Sequence, residues 1–254
     1  MTVNVDKQGE IAIISLQRPE CRNAIDTETG IALRQAVLDF EKDDSLKVAI
    51  LTGSGGHFCA GADLKALDKD VSWNPDFGHG PLGPTWHTPQ KPIIAAVEGY
   101  AVAGGLELAL WCDLRVAADS AVFGVFCRRW GVPLIDGGTV RLPRLIGESR
   151  AMDLILTGRA VDADEAFDIG LANRRCADGE ALASALTLAE SIAAHPQACM
   201  LSDRQCVHRA AGNDFDKAMA HEGELGWNYL QSRGFADGVA RFVDGAGRHG
   251  EGSS

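Results

Sequence analysis

Along the first half of the chain, short runs of apolar, β-branched residues alternate with stretches of helical spacing. "IAIISL" (11 to 16), "VAILTG" (48 to 53), "IIAAV" (93 to 97) and "LRVA" (114 to 117) are punctuated by Gly, Pro or Asp, the pattern of buried strands. Between the first two, "DTETGIALRQAVLDFEKDD" opens with capping residues and sets Leu33, Val37 and Phe40 on one helical face, which predicts a strand-helix-strand unit. From about residue 147 the spacing is helical, through "ESRAMDLILTG", "ADEAFDIG", "GEALASALTLAESIAAHP", "QACMLSDRQCVHRA", "FDKAMAHEGELGWNYL" and "FADGVARFV". The pattern predicts an α/β core over 1–195, a helical region over 196–245 and a disordered tail over 246–254. Residues 66 to 92, rich in Pro and Gly and without periodicity, read as a long mobile loop in which Trp73 and Trp86 either pack or cover a ligand.

Composition narrows the class. With 254 residues, 46% of them hydrophobic, the chain has enough apolar material for a real core. A formal net charge of −11 gives no broad attraction to phosphate backbones or anionic membranes, so nucleic acid is not an expected partner. Seven cysteines, an odd count without a CxxC pair, suggest neither a disulfide framework nor a zinc site and fit a reducing cytoplasm. The N-terminus lacks the basic and apolar regions of a secretion signal, and Glu98 and Glu107 interrupt the most apolar later window, so no membrane span is expected. The histidines show no metal-ligand spacing, and the GxGxxG match at Gly245 to Gly250 follows a helix rather than a strand, which removes it as a dinucleotide site.

Two stretches carry candidate chemistry. "GHFCAGADLKAL" (56 to 67) follows a strand, and its small residues let backbone N–H groups approach a ligand oxygen. "AAVEGYAVAGGLELALW" (95 to 111) repeats the arrangement with Gly104 and Gly105 before a helix whose N-terminal end favours negative charge. Together they suggest one oxyanion hole. Glu107 is a carboxylate inside an otherwise apolar helix, where burial perturbs proton affinity.

With "VFG" and "GGTVRLPRLIGESRAMDLILTG", these stretches resemble the enoyl-CoA hydratase/isomerase, or crotonase, family, closely over residues 10 to about 175. The resemblance implies a crotonase-like spiral of ββα turns, a helical C-terminal trimerisation region, a homotrimer or hexamer, and acyl-CoA thioester substrates with no separate cofactor. It implies Ala62 and Gly104 as oxyanion donors and Glu107 as general acid/base. Carried over residue by residue, Cys21, Arg22, Ala24, Ala60, Asp63 and Leu64 are the expected CoA neighbours, with Arg22 available to a phosphate. A lysine that relatives use near the C-terminal helix is Gly245 here, leaving Arg248 or Lys65 as substitutes or as solvated surface charges.

One departure stands out. Family hydratases carry a second glutamate in an "FGxPE" stretch, where this chain has "FGVFC" and Cys127. A neutral thiol is a poor acceptor and cannot simply replace a carboxylate. Arg128 and Arg129 would favour a thiolate nucleophile, but no His is placed to serve as its base, which favours a packed Cys. Asp136, in "PLIDGGTVRLP", is either a second acid or a turn and helix N-cap. The missing glutamate tilts the expected chemistry from two-glutamate hydration toward isomerisation or a specialised lyase reaction, with a catalytically weak CoA-thioester binding or scaffold protein as the rival.

Overall fold

The computed structural model describes residues 1–66 and 79–244. Val3–Gln8 (β1) and Ile11–Leu16 (β2) pair antiparallel around Gly9, whose φ of 59° costs a glycine nothing. The chain then crosses through α1 (Thr27–Lys42), which Asp26 caps by accepting the Thr29 amide at 2.8 Å and which buries Leu33, Val37 and Phe40. It returns as β3 (Val48–Gly53), parallel to β2 with Ile11 opposite Val48.

β4 (Ile93–Val97), β6 (Leu114–Ala118) and β8 (Arg174–Cys176) extend this sheet in the order β1-β2-β3-β4-β6-β8, parallel from β2 onward. β4 is buried along its whole length, as a parallel strand covered on both faces must be. β5 (Tyr100–Val102) and β7 (Val122–Gly124) form a second, two-stranded parallel sheet. α2 (Gly104–Trp111) starts two residues after β5, and α3 (Gly138–Ile146), α4 (Glu148–Thr157) and α5 (Ala163–Asp168) follow β7. The run of helices that follows β7 thus begins with α3, before residue 147, and β1, β5, β7 and β8 are strands the hydrophobic pattern did not mark.

Arg115, on β6, is wholly buried and donates to the carbonyls of Leu171 (2.6 Å), Cys112 (2.9 Å) and Ala109 (3.3 Å) and to Asn173 Oδ1 (3.2 Å). Two of those carbonyls close the C-terminal end of α2, where a cation is favoured and acceptors need partners. This fixes the far end of the helix whose first turn carries Glu107.

The expected mobile loop is, over 79–92, a tightly held segment. His87 Nε2 lies 2.7 Å from Glu41 Oε2, Gln90 N–H donates to Glu41 Oε1 at 2.5 Å, and Trp111 Nε1 donates to the His87 carbonyl at 2.7 Å. Trp86 donates to the Ile135 carbonyl at 2.8 Å, so it packs on the neighbouring turn. Trp73 lies outside the described residues, as do Gly245, Arg248 and the tail 246–254.

The chain divides into two compact units, Met1–Ala189 and Glu190–Ser254, and α6 (Ala181–Ala193) runs across that boundary. The second unit consists of α7 (Gln197–Ala210), α8 (Phe215–Leu230) and α9 (Arg233–Val243), none with a fully buried residue. Among the described residues no helix is long and apolar enough to cross a membrane.

Candidate active site

Two backbone turns meet through strand-like pairing. The Cys59 amide donates to the Tyr100 carbonyl at 2.8 Å, and the Cys59 carbonyl accepts from Val102 at 3.1 Å. On the other side, Ile25 N–H donates to the Gly61 carbonyl (2.8 Å) and Asp63 N–H to the Ile25 carbonyl (2.9 Å), a parallel bridge that leaves the amide of Ala62 facing away from Ile25. Gly61 has a φ of 96°, and a Cβ there would fall 2.8 Å from the Gly104 nitrogen, so only glycine lets the first turn lie against the second. Neither the Ala62 nor the Gly104 amide has an acceptor among the described residues.

Ala103, the residue before α2, has φ 54° and ψ −125°, an unusual conformation for a residue with a Cβ. Its ψ sets the plane of the peptide that carries the Gly104 N–H. Hydrogen bonds hold it there: Ala103 donates to the Gly124 carbonyl at 2.8 Å, and its carbonyl accepts from Leu106 (3.1 Å) and Glu107 (3.3 Å).

Glu107 sits in the first turn of α2, which buries every residue from Gly105 to Trp111, and is only 2% exposed. Its Oε1 accepts from the amides of Asp136 (2.9 Å) and Gly138 (2.8 Å), while Oε2 has no hydrogen bond among the described residues. Burial, reinforced by the nearby Asp136 charge, pushes its carboxyl up to about 7, against the opposing pull of the two amides and Arg141.

Asp136 is also buried, and its side chain does not cap α3. The residue before that helix is Gly137, and the carboxylate of Glu107 caps it from outside through the Gly138 amide. Asp136 instead turns toward the 79–92 segment, its Oδ1 accepting from the Leu82 amide at 3.1 Å and from the Thr85 hydroxyl. Burial raises its pKa, opposed by those two bonds and by Arg141.

Cys127 lies in a short 3-10 turn, Phe126–Trp130, and burial pushes its thiol up, with Glu107 adding to the shift and Arg128 opposing it. The arginines are engaged elsewhere. Arg128 Nε donates to the Ile155 carbonyl at 3.1 Å, while Arg129 stacks over the Phe126 ring at 3.7 Å and donates to the Gly158 carbonyl at 3.1 Å. Burial and the nearby Glu107 carboxyl thus work against a thiolate, in keeping with a packed Cys.

The expected CoA neighbours fall on two adjacent stretches, 21–24 and 60–64, joined by the Ala60 amide donating to the Arg22 carbonyl at 3.0 Å. Arg22 is exposed, with its guanidinium 4.9 Å from the Tyr100 ring centroid. Leu64 is exposed, Cys21 half-buried, and the Ala24 carbonyl accepts from Arg18 at 2.5 Å. The Asp63 carboxylate is committed to Arg18 at 2.9 Å, and Arg18 also reaches Asp26 at 3.1 Å. His57 is a packed loop residue whose Nδ1 accepts the Tyr100 amide at 3.3 Å.

Arg18, Asn23, Thr85 and Arg141 escaped sequence reasoning. Asn23 holds the left-handed turn at 22–23 by donating to the carbonyls of Ser54 (2.8 Å) and His57 (2.6 Å). No local pattern marks any of the four, because each acts on a segment distant in sequence.

The family model described as "Enoyl-CoA hydratase/isomerase" matches residues 6–248. The chain belongs to the enoyl-CoA hydratase/isomerase family. Among curated members, "Enoyl-CoA hydratase EchA19" of Mycobacterium tuberculosis is 41% identical over 198 residues, covering 75% of this chain and 74% of that protein. "Probable enoyl-CoA hydratase echA8" of Mycobacterium bovis is 34% identical, over 96% of this chain and 95% of its own length. A crystal structure of an enoyl-CoA hydratase from Mycobacterium tuberculosis H37Rv superposes with a TM-score of 0.90 at 37% identity, covering 96% of each chain. The architecture is therefore the crotonase fold, and the protein is an enzyme of the hydratase/isomerase family.

Proposed function

We propose that this enzyme moves protons between carbons of an acyl-CoA thioester, with Ala62 and Gly104 N–H groups holding the thioester oxygen and Glu107 as general acid/base. Removing a proton from the α-carbon of a 3-enoyl thioester places negative charge on that oxygen, where one oriented donor contributes about 3 to 4 kcal/mol. Glu107 Oε2 takes the α-proton and returns it at the γ-carbon, so the double bond moves into conjugation and no atom is gained or lost. The observation that carries this reading is the buried Glu107 carboxyl, pushed up to about 7 and tied through Oε1 alone. A proton carrier works best when its pKa lies near the working pH.

Hydration calls for a second acid to activate water, and neither neighbour supplies it well. Burial disfavours ionisation of the Cys127 thiol, and Asp136 is committed through Oδ1 to Leu82 and Thr85. Isomerisation therefore outruns hydration in this chain. The CoA moiety lies along 21–24 and 60–64, with exposed Arg22 meeting a phosphate. CoA arrives with the substrate, and the reaction uses no separate cofactor.

The second unit supports self-association into a trimer or hexamer, since Phe215 is 76% exposed and Trp227 64%, a large apolar surface for a free chain. All seven cysteines are free thiols, which supports a reducing, cytoplasmic setting.

The test is a substrate panel of 3-enoyl-CoA, crotonyl-CoA and 3-hydroxyacyl-CoA on the wild type and Glu107→Gln. The reading expects 3-enoyl-CoA isomerisation above crotonyl-CoA hydration and loss of both in the variant. Binding of thioesters with no turnover would replace it with the scaffold reading, and full activity in Glu107→Gln would remove Glu107 as the base.

A further inference from the structure

The Glu107 carboxylate is held by a turn, residues 136–138, that is itself fastened to the 79–92 segment at several points. Arg141, one turn into α3, donates to the Asp136 carbonyl at 2.9 Å and to the Thr85 carbonyl at 2.6 Å. The Thr85 hydroxyl and the Leu82 amide, in turn, both donate to Asp136 Oδ1. The Leu82 side chain lies over the other half of the site, since a Cβ added at Gly104 would meet Leu82 Cδ1 at 2.6 Å. One cluster thus ties the proton carrier, the second amide turn and the 79–92 segment together, and the space within it is filled: a Cβ at Gly80 would run into Thr85 Oγ1 and Asp136 Oδ1.

We infer that Arg141 and Thr85 are positioning residues for the proton transfer, fastening the 79–87 segment to the turn that orients Glu107. The inference rests on the reading of Glu107 as proton carrier. A guanidinium suits the place because its fixed fork of donors bridges two carbonyls from different segments, which a lysine ammonium does only in part. Its charge adds an electrostatic effect. The groups facing Glu107 are Asp136, Cys127 and Arg141, and those facing Arg141 are Glu107, Asp136, Cys112 and Arg144. Of those facing Glu107, Arg141 is the one that draws its carboxyl downward, and it does the same for Asp136.

The test compares Arg141→Gln, Arg141→Lys, Thr85→Val and Thr85→Ser with the wild type in two ways: the pH profile of 3-enoyl-CoA isomerisation, and direct titration of the Glu107 carboxyl by carbon-13 NMR or infrared difference spectroscopy. Arg141→Gln is expected to lower kcat by roughly ten- to a hundredfold with little change in KM, the effect of a misplaced reacting group. It should also move the ascending limb of the profile, and the carboxyl titration, to higher pH, with Arg141→Lys restoring the limb. Thr85→Val should lower kcat without moving the limb, and Thr85→Ser should restore it. Active variants with wild-type kcat and an unmoved titration would overturn the inference. A wild type inactive on every thioester, with the carboxyl titration still moving in Arg141→Gln and returning in Arg141→Lys, would sink the isomerase reading and leave the fastening role standing. Should Arg141→Gln fail to fold, the Thr85 pair and Arg141→Lys decide the matter by the same two readouts.

Discussion

Glu107 accepts the amide of Gly138, 31 residues further along the chain, at 2.8 Å, so the anion that caps one helix is the buried acid of another. An acid raised to about 7 by burial destabilises the fold once ionised. Its unfolded counterpart, near 4.5, binds fewer protons between those two values, so stability falls as pH rises through this window. Glu107→Gln keeps the acceptor oxygen and removes the charge. It is expected to stabilise the protein above pH 7 by on the order of 3 kcal/mol and to flatten that pH dependence, while turnover drops by about 10² to 10⁴. Chemical denaturation at pH 5 and pH 8 checks the first outcome, and a variant no more stable than wild type at pH 8 would refute it.

On the proposed reading, the ionised form of Glu107 is the base in the wild type. The kcat/KM for 3-enoyl-CoA should therefore rise with pH through about 7 and level off above it. A profile flat from pH 5 to 9 would show that some other group carries the proton.

Cys127 lies close enough to Glu107 for the carboxylate to raise the thiol's proton affinity. Cys127→Glu should raise crotonyl-CoA hydration by tenfold or more by supplying the missing acid, and the added negative charge should shift Glu107 further upward. Unchanged hydration in a folded variant would mean the position does not face the reacting water.

Ala103 tests whether the backbone conformation beside Gly104 is required. Ala103→Gly removes the Cβ that makes the conformation costly but loosens the unfolded chain, so melting should show a stability change within about 1 kcal/mol and activity should persist. Ala103→Val, β-branched at a positive φ, should lose more than about 2 kcal/mol and most of its turnover. Equal behaviour of the two variants would mean the turn relaxes freely.

Arg115 fixes the opposite end of the same helix. Arg115→Met leaves the buried carbonyls of Leu171, Cys112 and Ala109 without their donor, at a cost of at least about 3 kcal/mol by denaturant titration. A smaller loss would show that water enters to replace the guanidinium.

Much of the fold was legible because buried parallel strands announce themselves: β3 and β4 are nearly continuous β-branched and Ala runs, and Leu33, Val37 and Phe40 trace the buried face of α1. β1 was not, because it is an edge strand with one buried residue in "VNVDKQ", and its order comes from pairing with β2. Of the candidate site, Glu107 stood out as one carboxylate among apolar neighbours, and the two glycine turns by their small residues. Asp136 was visible as an acid but not in its orientation, which depends on Thr85, 51 residues away. The reach of Arg141 to Thr85, across 56 residues, leaves no trace in local spacing.

The bridge between Cys59 and Ala101 has a consequence for how such an enzyme changes over generations. The spacing of the two amides is inherited from strand pairing, a backbone property indifferent to most substitutions, whereas the 79–92 segment is attached largely through particular side chains such as Thr85, Asp136 and Glu41. Mutation can therefore reshape the segment beside the two amides while their spacing stays constant, so that, on the proposed reading, a descendant of this chain can acquire a new substrate without first losing the means to stabilise its enolate.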